Sequence, residues 1–242
     1  MKNPWNEFKK KLIDFEIENK DYLLKDDSET IRKFNESFKS DKIKELYQVH
    51  QEVHPYPYTG NIKKAEVILL ATNPGFVDEE VETLYKNKSF QKECVENLFF
   101  QNNYFVNNDK ERVKYGDYWI KRTKKLKADI GEENYNKIGL MQFFPYHTKK
   151  YRKIAKKYFS GDQKYLKSQE FNFYLIRQFI KEGKLFIITR SKKEWYKAIP
   201  ELAEYKEKGG VFEIRNYRQP YITPNNFIDK NAYEKIVKKI CN

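Results

Sequence analysis

The chain has 242 residues, of which 39% are hydrophobic and 17% aromatic, so it can build a sizeable core and is not disordered throughout. Its formal net charge of +13 favours nucleic acid as a partner over a membrane or an acidic protein, although the abundance of Lys, Asn, Ile, Tyr and Phe also indicates an A- and T-rich coding sequence. Two cysteines, three histidines, no signal-peptide core and no apolar run of transmembrane length predict a soluble cytoplasmic protein without a disulfide framework, metal site or cofactor.

The first fifty residues show a helical pattern. Apolar residues recur three or four positions apart, which predicts helices within residues 4–50. The two stripes are Trp5, Phe8, Leu12 and Phe15, and Ile31, Phe34 and Phe38. We expect residues 1–54 to form a helical extension packed on a core domain of residues 55–242, with a Pro- and Gly-containing loop at 54–60 leading into it.

The central strand is predicted within residues 64–76. The apolar run Val67–Ala71 is flanked by charge, which is typical of a strand buried on both faces. A sharp turn, Thr72-Asn73-Pro74-Gly75, follows, and Gly75 permits a backbone angle or a close approach that a side chain would forbid. Ligands bind beyond the carboxyl ends of such strands, so Asn73 is expected at the mouth of a pocket. An ordinary tight turn, with Asn73 there for turn chemistry, stays an alternative.

The remaining elements alternate between helices and strands. Helices are predicted at 90–100, 117–129, 171–181, 193–201 and 229–240, strands at 137–144, 184–189 and 211–215, and loops at 101–116 and 216–227. This order predicts an α/β fold, a three-layer α/β/α sandwich with a central, mostly parallel four-stranded sheet and additional N-terminal helices.

The order of motifs at the strand ends resembles that of the uracil-DNA glycosylase superfamily over residues 55–242. The segment Ala-Thr-Asn-Pro-Gly at 71–75 is similar to the first motif of the branches that carry Asn-Pro-Gly, and the loop 216–227 lies where the family has its second motif. Within the superfamily, the resemblance is to an uncharacterised bacterial branch of the Asn-Pro-Gly type. The resemblance implies a monomeric, monofunctional DNA glycosylase that flips a base out of DNA and hydrolyses its N-glycosidic bond without a metal.

The resemblance also implies two catalytic residues. Asn73 is expected to orient the attacking water, and Asn216, at the start of the second motif, to stabilise the departing base. The strongly activating branch of the family has Asp where this chain has Asn73, so efficient action on plain uracil is not implied. A uracil-like or modified base is the expected substrate, in DNA repair or in defence against phage DNA.

Further residues are expected to bind the base and the DNA. Tyr85 or Phe76 is the candidate to stack on the base, with core packing as the alternative for both, and Gln142 is expected to read the base edge. His147 is expected to support its loop. The candidates for DNA contact are Arg190, Ser191, Arg218 and Tyr221. A simply ordered loop, stiffened by Pro220 and Pro224, is the alternative for the last two.

Two other functions stay open. The first is a non-catalytic nucleic-acid-binding module on the same scaffold, which shares the charge and the aromatic residues. The second is another α/β enzyme that acts on a nucleotide or a phosphorylated small molecule. The sequence disfavours the second, because it contains neither a G-x-x-x-x-G-K-[ST] nor a G-x-G-x-x-G phosphate-binding pattern.

Overall fold

The computed structural model describes residues 1–8, 21–38, 44–80, 84–105 and 117–242. Within these residues the chain is an α/β protein with five strands and seven α-helices. The strands are β1 (Tyr58–Thr59), β2 (Val67–Ala71), β3 (Ile138–Gln142), β4 (Leu185–Ile188) and β5 (Val211–Glu213). The helices are α1 (Lys25–Glu36), α2 (Lys88–Leu98), α3 (Asp117–Ile130), α4 (Lys167–Lys181), α5 (Lys192–Ala198), α6 (Glu201–Glu207) and α7 (Ala232–Cys241). In this part of the chain, none of the helices combines the length and apolar character needed to cross a bilayer.

The five strands form one sheet in the order β1-β3-β2-β4-β5. β2 pairs in parallel with both β3 and β4, with Leu69 opposite Leu140 on one side and Ile187 on the other. β5 continues the parallel pairing beyond β4, whereas β1 pairs antiparallel with β3 at the other edge. The carboxyl ends of β2, β3 and β4 therefore lie at the same edge of the sheet.

The mostly parallel sheet is confirmed, but the predicted strand number was wrong. The fifth strand, β1, lies in the segment predicted to be only an entry loop, and two residues are too few to show a strand period. One helix was missed as well. The helix predicted at 193–201 ends at Ala198, and α6 follows after Pro200 as a separate helix. The predicted loop at 101–116 lies largely outside the described residues.

β2 is buried on both faces, as predicted. All five of its side chains are buried, and alternate residues enter two separate apolar clusters. Ile68 and Leu70 enter the first cluster, whereas Val67, Leu69 and Ala71 enter the second. Such a division follows from the alternation of side chains along a strand. It explains why the sequence of this strand is continuously apolar.

The helices divide between the same two clusters. The first cluster takes apolar residues from α1, α2, α4, α5 and α6, and the second takes them from α3 and α7. The fully buried Trp5 and Phe8 also belong to the first cluster, so the N-terminal residues pack against the same core as the sheet. Leu12 and Phe15, which were predicted to share their stripe, lie outside the described residues.

A buried carboxylate connects α1 to α4. Asp27 Oδ1 accepts a hydrogen bond from the backbone N–H of Lys167 at 2.7 Å, and Oδ2 accepts one from the hydroxyl of Tyr146 at 2.8 Å. The residue before α4 is Leu166, which has no side-chain oxygen to cap the helix, so Asp27 takes that role from a distant part of the chain. Burial disfavours the charged form and raises the pKa of Asp27 to about 6.

We expect this carboxylate to make stability depend on pH, and we expect Asp27→Asn to remove that dependence. A raised pKa in the folded state favours folding at low pH, and that contribution is lost as pH rises through about 6. The unfolding free energy of Asp27→Asn minus that of the wild type should therefore increase between pH 4 and pH 7, by something on the order of 2 kcal/mol. Urea unfolding across this range measures the difference. Asp26→Asn, at the exposed neighbouring position, is the control, and an equal trend in both variants would contradict the assignment.

Candidate functional site

A pocket of about 550 Å³ lies at the edge of the sheet where β2, β3 and β4 end. The segment Ala71–Gly75 after β2, Gln142 at the end of β3 and Arg190 after β4 all line it. From β2 the chain passes first to a neighbour on one side and later to a neighbour on the other. Crevices at such points are the usual ligand sites of open α/β sheets, so the topology alone favours this edge as the functional site.

The pocket has aromatic walls and a basic character. Its aromatic lining residues are Tyr56, Tyr85, Phe90, Tyr118, Trp119 and Tyr151. Lys149, Lys150 and Arg190 supply cations, and none of the described lining residues is acidic. Lys149 forms an ion pair of 2.5 Å with Asp78, so its charge is partly compensated. Flat apolar walls and positive charge suit a planar ligand that carries or develops negative charge.

Asn73 is held in one orientation by its amide nitrogen. Nδ2 donates to Thr148 Oγ1 at 2.8 Å, to the carbonyl of Pro74 at 2.9 Å and to the carbonyl of Thr148 at 3.2 Å. Carbonyl oxygens only accept, so the nitrogen must face them and the side-chain oxygen must face away. Within the described residues no group donates to Asn73 Oδ1. Asn73 Oδ1 is therefore a hydrogen-bond acceptor of fixed orientation, and Asn73 lines the pocket.

Four further lining residues each have a buried polar atom without a partner in the described part of the chain. These atoms are Thr59 Oγ1, Gln142 Oε1, His147 Nε2 and Arg190 Nε. Gln142 is only 3% exposed, and its backbone forms hydrogen bonds to Pro57 and Asn172. Its unpartnered amide oxygen therefore belongs to a residue whose backbone is fixed in position. Native proteins leave few such atoms, because each costs about 1–3 kcal/mol. Their concentration in one pocket indicates a place for a polar ligand.

His147 is a neutral acceptor at physiological pH. Its Nδ1 lies 2.7 Å from the carbonyl of Gly75, which can only accept, so Nδ1 carries the proton and Nε2 keeps its lone pair. Burial lowers the pKa of His147 to about 4. The backbone carbonyl of His147 also accepts from the N–H of His50, so the residue supports its loop as predicted from the sequence and lines the pocket besides.

The aromatic candidates Phe76 and Tyr85 have different places. Tyr85 lines the pocket, with its ring edge-on to that of His147, and its hydroxyl donates to the carbonyl of Gly75 at 3.3 Å. Phe76 is not among the lining residues. Its ring stacks with Tyr85 at 5.3 Å and with His50 at 3.3 Å between centroids. Of the two residues, only Tyr85 is placed to meet a ligand, while Phe76 supports it from behind.

Arg190 and Ser191 follow β4. The Arg190 guanidinium donates from Nη2 to the hydroxyl of Tyr118 at 2.8 Å, while its Nε is buried without a partner in the described residues. Ser191 has a φ of 54°, in the left-handed region that non-glycine residues rarely adopt, and shares a hydrogen bond of 2.7 Å with the hydroxyl of Thr72. This bond ties the ends of β2 and β4 together beside the pocket.

The second-motif candidates lie outside the pocket lining. Asn216 Oδ1 accepts from the backbone N–H groups of Arg218 and Gln219, both at 3.1 Å, which is an Asx turn. Arg218 and Tyr221 are exposed on the same loop. The structure therefore brings Asn73, Tyr85, Gln142 and Arg190 together in one pocket but leaves Asn216 in a turn.

Gly75 is not required by the backbone. Its φ is outside the left-handed region, and a Cβ at this position would meet no atom within 4 Å. The first of the two reasons predicted for this glycine, a special backbone angle, therefore does not apply. The residue is exposed and lines the pocket, so its lack of a side chain widens the entrance.

Several lining residues were missed from the sequence. Thr59 lies on the two-residue β1, which gave no period, and Tyr118 comes from α3, whose position over the pocket depends on tertiary packing. Thr148, which holds Asn73, could have been predicted from the sequence. It follows β3, and the carboxyl ends of neighbouring parallel strands meet at one edge of the sheet.

The sequence matches no protein-family model. Searches among curated proteins and among solved structures likewise gave no match.

The amide nitrogen of Asn73 predicts the effect of Asn73→Asp. A carboxylate would place oxygen against the carbonyl oxygens of Pro74 and Thr148, so the variant should be destabilised by about 1–3 kcal/mol at pH 7. Asn73→Ala removes the donor without adding repulsion and should be destabilised less. Below about pH 4 the protonated Asp regains a donor and loses its charge, so the Asp variant should approach the stability of the wild type. Chemical unfolding at both pH values measures this, and an Asp variant as stable as wild type at pH 7 would contradict the geometry.

The unpartnered amide of Gln142 predicts a gain of stability on substitution. Gln142→Leu removes a buried acceptor that has no partner and should raise the unfolding free energy by about 1 kcal/mol. Gln169 is the matched control, because it is equally buried but bonded at both ends, to the carbonyl of Phe143 and the N–H of Leu166. Gln169→Leu should lower the unfolding free energy. Losses of the same size in both variants would show that Gln142 is an ordinary structural residue.

Proposed function

We propose that this protein is a DNA glycosylase-like hydrolase. It binds a flipped, uracil-like or modified base in the pocket and hydrolyses the N-glycosidic bond without a metal. The observation that carries this proposal is the meeting of Asn73 and Gln142 in one aromatic-walled, basic pocket, each with an amide oxygen that no described residue engages. These two residues follow neighbouring strands, at the places where the resemblance expects the residues for water and for base.

Hydrolysis of the N-glycosidic bond requires a water positioned at the sugar carbon and stabilisation of the base that leaves. Asn73 Oδ1 accepts a hydrogen bond from a water and turns its oxygen lone pair towards the anomeric carbon of the sugar. The bond between that carbon and the base nitrogen breaks, the electron pair leaves with the base, and the water oxygen bonds to the carbon. The proton released by the water passes to solvent or to the departing base. An amide orients water but is a poor base, so stabilisation of the leaving base supplies most of the rate.

Donors in the pocket stabilise the departing base in this proposal. Asn216 was expected to do so, but its side-chain oxygen holds a turn outside the pocket lining, and we assign the role to Arg190 and the amide nitrogen of Gln142. Gln142 offers one donor and one acceptor, which matches a base edge with adjacent N–H and carbonyl groups. Tyr85 is the wall on which the base lies.

The scaffold of the proposal is the three-layer α/β/α sandwich that the resemblance implies. The division of the helices between two apolar clusters, one for each set of alternate β2 residues, supports it. DNA is the proposed partner, supported by the net charge of +13 and by the lining cations Lys150 and Arg190, for which the described residues supply no ion-pair partner.

A non-catalytic nucleic-acid-binding module is the second candidate. One observation favours it: none of the described lining residues is acidic, so the described part of the pocket offers no carboxylate as a general base. The same aromatic walls and unpartnered polar atoms would then hold an unpaired base without cleaving it.

A strand-cleavage assay separates the two candidates. Labelled oligonucleotides that carry uracil, hypoxanthine, hydroxymethylcytosine or glucosylated hydroxymethylcytosine are incubated with the protein and then treated with alkali, which cuts at abasic sites. We expect an alkali-labile site with at least one of these bases. Asn73→Ala should lower the rate about 100-fold or more, because the water loses its positioning group, while DNA affinity changes little.

Asn134→Ala is the control, since Asn134 has its amide bonded to Ile130 at the end of α3, outside the pocket lining. DNA binding without an abasic product from any base would favour the binding module. Product formed equally by wild type and Asn73→Ala would contradict the role of Asn73.

A further inference from the structure

Four side chains form a continuous row from the pocket to the surface, which we call the Arg–Tyr ladder: Arg190, Tyr118, Arg122 and Tyr221. Arg190 bonds the hydroxyl of Tyr118, and the Cζ of Arg122 lies 3.7 Å from the centroid of the Tyr118 ring. The same guanidinium lies 5.3 Å from the centroid of Tyr221. Cations and aromatic rings therefore alternate along the row.

No acidic group in the described part of the chain neutralises the two arginines of the ladder. Among the described residues, neither guanidinium has a carboxylate within ion-pair distance, and the Nε of each is buried without a partner. Arg177 shows the ordinary arrangement, since its Nε donates to Glu201 at 2.6 Å. The contacts that the described residues make to these two positive charges are thus stacking and hydrogen bonds, which leave the charges available to an anion.

The outer end of the ladder is fixed in position. The N–H of Ile222 donates to the backbone carbonyl of Arg122 at 2.8 Å, which attaches the loop after β5 to α3. Asn226 holds the same loop from within by donating to the carbonyl of Tyr221 at 2.7 Å. Tyr221 is 38% exposed despite these restraints, so an aromatic ring is held at the surface beside a cation.

The inner end of the ladder belongs to the pocket, because Arg190 and Tyr118 both line it. A ligand that occupies the pocket and continues outwards therefore meets, in order, a cation, a ring, a second cation and an exposed ring. A polynucleotide has this repeating chemistry, since each phosphate is followed by a base with an aromatic face.

We propose that the Arg–Tyr ladder binds single-stranded DNA next to the nucleotide in the pocket. Arg190 contacts the nucleotide in the pocket, the neighbouring phosphate contacts Arg122, and an unpaired base stacks on Tyr221. A duplex offers the same phosphates but hides the faces of its bases, so the exposed ring selects the single strand. The inference rests on the proposed function for the occupant of the pocket, whereas binding along the ladder requires no catalysis.

Fluorescence anisotropy with a labelled oligothymidylate and a labelled hairpin duplex tests the proposal across a salt series. Tyr221→Ala should weaken binding of the single strand by about 5- to 100-fold, with an unchanged slope of log affinity against log salt, because a stacking contact carries no charge. Arg122→Gln should reduce the magnitude of that slope by about 0.7, the value for one phosphate contact on a single strand. Arg122→Lys should keep the slope.

The controls match each change in kind. Tyr104→Ala removes an aromatic ring that is 59% exposed elsewhere, and Arg32→Gln removes a cation that is paired with Asp21. Both should bind DNA as the wild type does. Equal losses in these controls, or equal losses for duplex and single strand in Tyr221→Ala, would overturn the proposal. Thermal unfolding of each variant, measured in parallel, identifies any loss that comes from misfolding.

The outcome is independent of base excision. Excision that proceeds normally while the ladder variants bind like wild type would reject the ladder and keep the glycosylase. Loss of single-strand binding in the ladder variants, without excision of any base by the wild type, would keep the ladder and reject the glycosylase.

Discussion

The site depends on one arrangement of backbone hydrogen bonds, the parallel pairing of β2 with β3 on one side and with β4 on the other. Because the three strands run in the same direction, Asn73, Gln142 and Arg190 come to one edge although they are far apart in sequence. Parallel neighbours need long crossover connections, and those connections contain α3 and α4, whose apolar residues enter the two clusters that bury β2. The same pairing thus produces both the core and the pocket.

The pocket is unusual in the balance of its polar atoms. Three lining residues each keep a hydrogen-bond acceptor that no described residue engages: Asn73, Gln142 and His147. The other polar atom of Asn73 and of His147 is hydrogen-bonded within the protein, and Gln142 is buried. These acceptors are neutral, since two are amides and burial keeps the histidine unprotonated by lowering its pKa to about 4. Recognition in such a site comes from directional hydrogen bonds, while the charge that attracts a polyanion comes from the lysines and arginine of the same lining.

Much of this arrangement was predictable from local sequence, and the rest depended on contacts between distant residues. The apolar runs gave β2 to β5, and the rule that ligands bind at strand ends selected Asn73, Gln142 and Arg190, which the pocket brings together. β1 was missed because its two residues form a strand only through pairing with β3. Asn216 was expected in the site, but its orientation is set by an Asx turn and by Asn226, ten residues away. Tyr85 was the first candidate for stacking and Phe76 the alternative, and the structure distinguishes them because Tyr85 lines the pocket whereas Phe76 stacks on His50.

The hydrogen bonds of Asp27 have a consequence for how the chain can be divided. The N-terminal segment was predicted to be an extension on a core of residues 55–242. Asp27 satisfies the first backbone N–H of α4, and Trp5, Phe8 and Ile31 belong to the cluster that covers one set of β2 side chains. A shortened chain of residues 55–242 would expose this apolar surface to water and leave α4 without its cap. The boundary near residue 54 is therefore a boundary in sequence pattern and not a line along which the protein separates into independent folding units.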